Sequence, residues 1–599
     1  MLTLKERLYN RLESEVGYTQ EELIALSKAT LADNLDPFLY TDADLFVEEF
    51  HKLIINNSEG LIIIDTDFDA DGINSANVLA AAFDLFGLPF AVYIPSMEDG
   101  YGLSPKAVDD MEKQFGNIKA IVTADNGTFA SGVAYARKKG IKVLVTDHHT
   151  GKKENQVTAE AVINPNREGD TYPFKGNAGA HVALKMMQAY AMRYAKDKLP
   201  LLNRLHVFAG IADVSDVMPI RDENHTTVKY AIEELNKLKK GCYINTPYPI
   251  YNRVFEGLHL LLVALQQDLD HKNRAKKKRP EPLPSDEKLI SYHISPALNA
   301  PRRIHDSPYE AFVLFLADDE TLRQEACQKI IAMNILKSQW RDTVLADIDN
   351  MTNNVILINA KHGVAGLVAP RLLDYSEEPS VVFTTQDPTK PIGLYKDGLP
   401  DDERISASAR SRTMGLDKMI EYIQTHYPTY GLEGGGHTGA AGFSIKTEHF
   451  PWFIEAWNKS YHELLKEYPL AQKDKGFHII LEKGQQDNYY LWEKLTQKTY
   501  DDILSFLSEI ETFKPFGKDF NPVLKASILI QPNDERLDFW KTVKIKKGPL
   551  NAIPFNEALA TTIRQAKEPL LITGDLVLNR WQGNTSLQLQ MTHLETPKL

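Results

Sequence analysis

Residues 61–72 read Leu-Ile-Ile-Ile-Asp-Thr-Asp-Phe-Asp-Ala-Asp-Gly. The four leading apolar residues predict a fully buried strand of a parallel sheet. Asp65, Asp67, Asp69 and Asp71 crowd its carboxyl end, and Ile73–Phe86 predicts a helix after them. Open α/β sheets bind ligands at the carboxyl ends of their strands. Carboxylates this close repel one another unless a cation lies among them. Hard oxygen donors suit Mg2+, Mn2+ or Ca2+. Asp67-x-Asp69-x-Asp71-Gly72 also imitates the first half of a calcium loop. That loop follows a helix and needs a bidentate Glu at its twelfth position, where this chain has Val78. A solvated acidic turn is the other alternative. A catalytic metal site is the leading expectation.

From 61 to about 165, apolar runs alternate with helical stretches, the pattern of a parallel α/β sheet. The runs are Leu61–Ile64, Ala91–Ile94, Ala120–Thr123, Val143–Thr146 and Ala161–Ile163. The third leads into Asp125-Asn-Gly127 and the fourth into Asp147-His148-His149. Either feature alone is commonly just a turn or a structural histidine pair. Adjacent parallel strands, however, would bring both to the rim that carries the acidic loop. A further apolar run, 209–220, holds Asp213 and Asp216, acids that are costly to bury unless paired or metal-bound. Asp67, Asp69, Asp71, Asp125, His148, His149 and Asp216 suffice for two divalent cations about 3.5–4 Å apart. Mixed Asp and His without Cys favours Mn2+ or Mg2+ over structural zinc. The chemistry predicted is phosphoester hydrolysis.

These residues also carry a family resemblance. Asp67-Phe-Asp-Ala-Asp-Gly, Ala124-Asp-Asn-Gly, Asp147-His-His and Ser215-Asp-Val-Met-Pro resemble, in order, the four motifs of the DHH phosphoesterase superfamily. They resemble most its RecJ-type branch of single-strand-specific 5′→3′ exonucleases, as does Ala161-Val-Ile-Asn-Pro-Asn. The resemblance implies Asp69, Asp71, Asp125, His148 and Asp216 as metal ligands, with Asp125 as bridge. It implies Asp67 as an acid beside the metals and His149 as a residue acting on the scissile phosphate. Asp67, Asp125 and His149 are thus the catalytic candidates. Asp65 stands where a related branch has a ligand His, so it is an additional ligand candidate, and Asp213 is the alternative to Asp216.

Further along, Ile294-Ser-Pro-Ala-Leu-Asn-Ala-Pro-Arg302-Arg303 resembles a segment whose final Arg meets the DNA 5′ end. The family's usual Gly before that Arg is Arg302 here. Leu322 to about Met351 predicts one long helix, resembling the connector between two catalytic lobes. Ser406-Ala-Ser408-Ala-Arg410-Ser411 and Gly434-Gly435-Gly436-His437 resemble motifs of the second lobe, called DHHA1. Glycines there would let backbone N–H groups approach a phosphate, with His437 as a further donor. Arg303, Ser408, Arg410, Gly435, Gly436 and His437 are therefore the substrate candidates. Short strands between 523 and 591 predict an OB-type barrel for single-strand binding. Trp540, Lys544, Arg580 and Trp581 combine the aromatics and cations such a surface needs, with both Trp in the barrel core as the alternative.

The fold expected is α/β: two α/β lobes (DHH and DHHA1) joined by a long helix, plus a C-terminal OB-type β-barrel. The expected division is 1–58 N-terminal helical, 59–320 DHH, 321–353 connector, 354–467 DHHA1 and 468–599 single-strand-binding. The net charge of −13 argues only mildly against nucleic acid, because the distribution of charge outweighs the sum. The basic, Pro-rich stretch from His271 to Pro284 predicts an exposed insertion, solvated or touching a phosphate backbone. Two cysteines, no apolar signal core and no bilayer-length apolar run predict a soluble cytoplasmic protein without disulfides or membrane partner. Expected partners are single-stranded DNA and a single-strand-binding protein or helicase, the chain itself being a monomer. The alternative activity within the superfamily is a phosphodiesterase of short oligonucleotides or cyclic dinucleotides.

Overall fold

The computed structural model describes residues 2–55, 59–95, 102–151, 155–305, 307–348, 353–373, 378–396, 398–436, 438–468, 478–481, 491–539, 542–554, 557–581 and 584–595. Contacts divide the chain into two units. One joins Met1–Asn34, Pro219–Lys229 and Ala471–Leu599, and the other joins Leu35–Met218 to Tyr230–Leu470.

The second unit opens on a five-stranded sheet of β1 (Leu61–Thr66), β2 (Phe90–Tyr93), β3 (Ile118–Ala124), β4 (Lys142–Thr146) and β5 (Ala161–Ile163). Their order is β2-β1-β3-β4-β5, parallel throughout. Successive strand side chains point to opposite faces. Ile62, Ile64, Ala120 and Val122 therefore enter one core, while Ile63, Ile121, Val143 and Val145 enter another. This burial on both faces is why the strands read as unbroken apolar runs. The helix Ala70–Leu85 leaves the end of β1 and is buried around nearly its whole circumference.

The helix Glu320–Ile348 joins this core to a second sheet. Ala326, Cys327 and Ile330 near its start belong to the first core. Val344 and Ile348 near its end pack beneath the second sheet with Ile356, Ile358 and Val382. That sheet comprises β6 (Val355–Asn359), β7 (Ser380–Thr385), β8 (Gly393–Leu394), β9 (Arg404–Arg410), β10 (Glu433–Gly436) and β11 (Ala440–Lys446), in the order β10-β11-β9-β7-β6-β8. Only β6 and β7 pair in parallel.

The first unit carries an eight-stranded sheet of β12 (His478–Leu481), β13 (Leu491–Glu493), β14 (Lys525–Ile530), β15 (Glu535–Phe539), β16 (Thr542–Lys547), β17 (Leu550–Pro554), β18 (Leu570–Trp581) and β19 (Asn584–Glu595). The order is β13-β12-β14-β18-β19-β17-β16-β15, with no pairing among the described residues that closes it. The closed OB-type barrel expected there is therefore not what the strand pairing describes. The short strands predicted between 523 and 591 are present as β14, β16, β17, β18 and β19. β12, β13 and β15 lie toward the edges and are only three to five residues long, too short for a clear period-2 pattern. The N-terminal helices Leu4–Val16 and Gln20–Lys28 pack on this sheet's helical layer, Leu8, Leu12 and Leu23 sharing a core with Ile503, Phe506 and Ile528. Among the described residues no helix is long and apolar enough to cross a membrane.

Candidate metal centre and phosphate pocket

Asp65 in β1 is in register with Thr123 in β3, and Ala124 in β3 with Thr146 in β4. The chain thus leaves three neighbouring strands at a single rim, carrying Asp67, Asp125 and Asp147-His148-His149. Asp125 adopts the left-handed conformation, φ 64°, which Asp and Asn tolerate best after Gly. Its N–H donates to Thr146 O at 3.0 Å. Thr123 Oγ1 ties the turn by donating to Asn126 O at 2.8 Å.

The acidic loop is held by helix starts. Asp69 caps the helix Ala70–Leu85, accepting from Asp71 N at 2.9 Å and Gly72 N at 3.2 Å. Asp71 accepts from Gly179 N at 2.7 Å and Ala180 N at 2.9 Å, at the start of the helix Gly179–Tyr194. Helix N-termini favour such anions. Glycine is required at two crossings. A Cβ on Gly72 would lie 2.0 Å from Asp67 O, and one on Gly179 would lie 2.4 Å from Asp125 Cβ.

Three groups of side chains bring donor atoms within 4.8 Å of one another: Asp125, His148 and His149; Asp71, His148 and Asp216; Asp67, Asp69 and Asp125. His148 Nε2 stands 3.0 Å from Asp125 Oδ1, 3.6 Å from Asp71 Oδ2 and 3.7 Å from Asp216 Oδ2. Asp65 is buried in β1 and belongs to none of these groups. Asp213 lies one layer back. It accepts from Ala178 N at 3.1 Å and lies 3.1 Å from His181 Nδ1.

Burial, then the charge of Asp69, holds both Asp67 and Asp71 up at about 7. Burial and the neighbouring Asp71 raise Asp216 to about 8 and Asp125 well above the usual carboxylate range. A divalent cation removes both penalties. Asp67 Oδ1 is moreover a buried acceptor that meets no hydrogen-bond donor among the described residues. Carboxylate oxygens with an imidazole fit Mn2+ or Mg2+.

Asp147 sets the states of the two histidines. It accepts from His148 N at 2.7 Å, His149 N at 3.1 Å and Thr128 N at 3.0 Å, and pairs with His149 Nδ1 at 2.9 Å. Burial alone would raise Asp147, but His149 and these donors bring it down to about 2. Burial would likewise lower His149, yet the bond to Asp147 raises it to about 9. Burial and the charge on His149 push His148 down to about 3, leaving a neutral imidazole. Asp147, Gly179 and Ala180 are contributors that the sequence does not single out. Asp147 stands in the motif, but no local pattern marks Gly179 as the residue beside Asp125.

A second constellation lies in the same unit. Arg303, on the helix Ala300–His305, donates from Nη1 to Gly363 O at 2.9 Å. Arg410 Nη1 donates to Ser408 Oγ at 3.1 Å. A Cβ on Gly366 would meet Arg303 Nη1 at 3.3 Å, Ser408 Oγ at 3.6 Å and Arg410 Nη2 at 3.7 Å, so the three converge there. Burial, then Arg302 and Arg410, lowers Arg303 to about 10. The glycine run Gly434–Gly436 lies in the exposed edge strand β10. Gly435 pairs with Gly442, which pairs with Ser408, and a Cβ on Gly435 would meet nothing within 4 Å. His437 lies outside the described residues.

In the other unit, Lys544 is half-buried in β16. Arg580 is exposed in β18 and ion-paired with Glu511. Trp540 and the side chain of Trp581 lie outside the described residues. The basic run Lys276–Arg279 is exposed after the helix Pro249–Ala275.

Residues 61–211 match the family model "DHH family, N-terminal domain". The chain is 27% identical over 563 residues to the single-stranded-DNA-specific exonuclease RecJ of Haemophilus influenzae, covering 89% of this chain and 87% of that one. It is 27% identical over 562 residues to that of Escherichia coli, covering 88% and 86%. It is 24% identical over 586 residues to that of Bacillus subtilis, covering 94% and 64%. Among solved structures, RecJ in complex with Mn2+ from Thermus thermophilus superposes with a TM-score of 0.66 at 18% identity, covering 99% of this chain and 78% of that one. The corresponding Mg2+ complex gives a TM-score of 0.62 at 17% identity, covering 99% and 77%. With the strand-end acids and the histidine pair in place, the chain carries a DHH-family N-terminal domain at residues 61–211 and is similar over nearly its whole length to the RecJ exonucleases.

Proposed function

We propose that the protein is a metal-dependent exonuclease that degrades single-stranded DNA from its 5′ end to mononucleotides. The observation that carries the reading is the cluster of mutually repelling acids around a neutral His148, in the same unit as the convergence of Arg303, Ser408 and Arg410. Asp67, Asp69, Asp71, Asp125, His148 and Asp216 would hold two divalent cations. When bound, such cations activate water and offset charge on the phosphoryl group. His149, charged through its bond to Asp147, is able to donate a proton to the scissile phosphate. Arg303, Ser408 and Arg410 receive the terminal phosphate, the guanidinium forks binding its oxygens in pairs. Gly435, Gly436 and His437 add donors at the sheet edge.

On this reading the chain divides into DHH (59–320), connector (321–353), DHHA1 (354–467) and single-strand-binding (468–599) regions after an N-terminal helical segment. An OB-type path using Lys544, Arg580, Trp540 and Trp581 holds the strand. The setting is cytoplasmic DNA recombination, repair or replication, with a monomeric enzyme served by a single-strand-binding protein or helicase.

Digestion of end-labelled single-stranded DNA with Mn2+ tests the reading. Mononucleotides released from the 5′ end are expected. Chelation and Asp125→Ala should each abolish them, and Arg410→Ala should erase the preference for 5′-phosphorylated ends. Cleavage confined to very short oligonucleotides or cyclic dinucleotides would overturn it.

A further inference from the structure

The helix Ala300–His305 carries two consecutive arginines, and residues adjacent on a helix point about 100° apart. Arg303 turns toward Gly363 and Gly366. Arg302 turns the other way. Its guanidinium lies over the ring of Phe68, 4.5 Å from the ring centre. Phe68 stands inside the acidic loop between Asp67 and Asp69, and the charge on Arg302 is felt at buried Asp67. The helix is tied to the loop nearby, where Asn299 Oδ1 accepts from Ala70 N at 3.1 Å.

Two properties of Arg302 stand out. It is only half-buried, so part of the residue is open to solvent. Among the described residues it makes no ion pair or hydrogen bond, and its guanidinium stacks on the ring of Phe68. A cation stacked on an aromatic ring is held in place while its N–H groups, in the plane of the fork, stay available. A structural arginine ordinarily directs those donors at carbonyls or carboxylates, as Arg404 does toward Gly431 O and Ser444 Oγ. Here the ring fixes the position of the group and leaves its donors for another acceptor. Asp69 and Asp71 are already engaged by backbone N–H groups at helix starts, and no acid is hydrogen-bonded to the guanidinium among the described residues, so the acceptor that fits is an anionic oxygen of the substrate.

We propose that Arg302 is a second substrate arginine, binding a non-bridging phosphodiester oxygen beside the acidic loop while Arg303 faces the terminal phosphate. Phe68 is its positioning residue. The two arginines then hold successive phosphates of one strand, Arg303 at the end and Arg302 at the internal group presented to the acids. This rests on the exonuclease reading and refines its substrate contacts.

Arg302→Met keeps the stem over Phe68 and removes the fork, while Arg302→Lys keeps a charge. Cleavage of 5′-phosphorylated and 5′-hydroxyl oligonucleotides is measured for each in Mn2+ over a salt series. Arg302→Met is expected to raise KM about tenfold on both substrates and to flatten the slope of log kcat/KM against log salt by about 0.7, one single-strand phosphate contact. The preference for a 5′-phosphate should stay as in the unaltered protein, in contrast to Arg410→Ala. Arg302→Lys should recover part of KM and most of the salt slope. Unchanged KM and slope in Arg302→Met overturn the proposal. So does loss of the 5′-phosphate preference alone, which would move Arg302 into the terminal pocket. So too would equal impairment of the Lys and Met variants with lowered melting temperatures, the mark of a packing role. An unaltered protein that leaves single strands intact would instead refute the exonuclease reading itself.

Discussion

Gly179→Ala places one methyl group where the metal centre has no room. The new Cβ would lie 2.4 Å from Asp125 Cβ, 2.6 Å from its Cα and 2.8 Å from its Oδ1. Ordinary contact begins near 3.4 Å, so Asp125 or the helix start must move by about 1 Å. Asp125 is the poorer candidate to give way, because its backbone is anchored to Thr146 O and already sits at φ 64°. The helix start is anchored as well, through Gly179 N and Ala180 N on Asp71. Either movement separates Asp125 or Asp71 from His148. Two opposing effects act on stability. Overpacking costs about 1–3 kcal/mol, and Ala gains up to about 1 kcal/mol over Gly as a helix former. The net loss is therefore about 0–3 kcal/mol, and the protein stays folded. A displacement of about 1 Å at reacting groups costs on the order of 100-fold in rate. The assay pairs kcat on a single-stranded oligonucleotide in saturating Mn2+ with a urea melt. Cleavage within about threefold of the unaltered protein, with the melt unchanged, would refute the claim that glycine is needed to bring this helix against Asp125.

Metal-free protein should lose stability as pH rises. Asp67, Asp71 and Asp216 have pKa values raised to about 7, 7 and 8 when folded, so between pH ~4 and ~8 the folded state binds more protons than the unfolded one. Melts in chelator should therefore fall across that window, and excess Mn2+ should flatten the fall; a rise with pH would contradict the site electrostatics. Asp147→Asn should bring His149 down from about 9 toward its ordinary range, read by NMR titration, and reduce cleavage above neutral pH more than below it. Removal of residues 471–599 should yield a poorly soluble protein rather than a clean catalytic fragment. Leu8, Leu12, Val16 and Leu23 would lose the apolar cover of Phe506, Ile510 and Ile528, and aggregation on gel filtration is the readout. Lys544→Ala leaves that core intact and should weaken binding to long single strands with a shallower salt dependence.

The acidic loop, the strand-end positions of Asp125 and His148, and the two-sided burial of the first sheet were legible because each is local. A buried parallel strand must be apolar on both faces, and a metal ligand must be a donor residue at a strand end. The helix Glu320–Ile348 was legible as well, since 29 residues of mostly good helix formers without Gly or Pro leave little choice. Other features depended on residues far apart in sequence. Asp213 and Asp216 look alike in the chain, yet a single helical turn aims Asp213 at His181 and sets Asp216 beside His148. Gly179 matters only because the fold brings its helix against Asp125, 54 positions earlier in the chain. The divergent headings of Arg302 and Arg303 come from one short helix. The open eight-stranded sheet and its shared core with the first two helices rest on contacts nearly 500 residues apart, as in Tyr9 against Phe506. Sequence alone determines which groups can ligate, donate or repel, because that is side-chain chemistry. Which of them meet is decided by packing, whose contacts join distant segments and leave no periodic trace in either one.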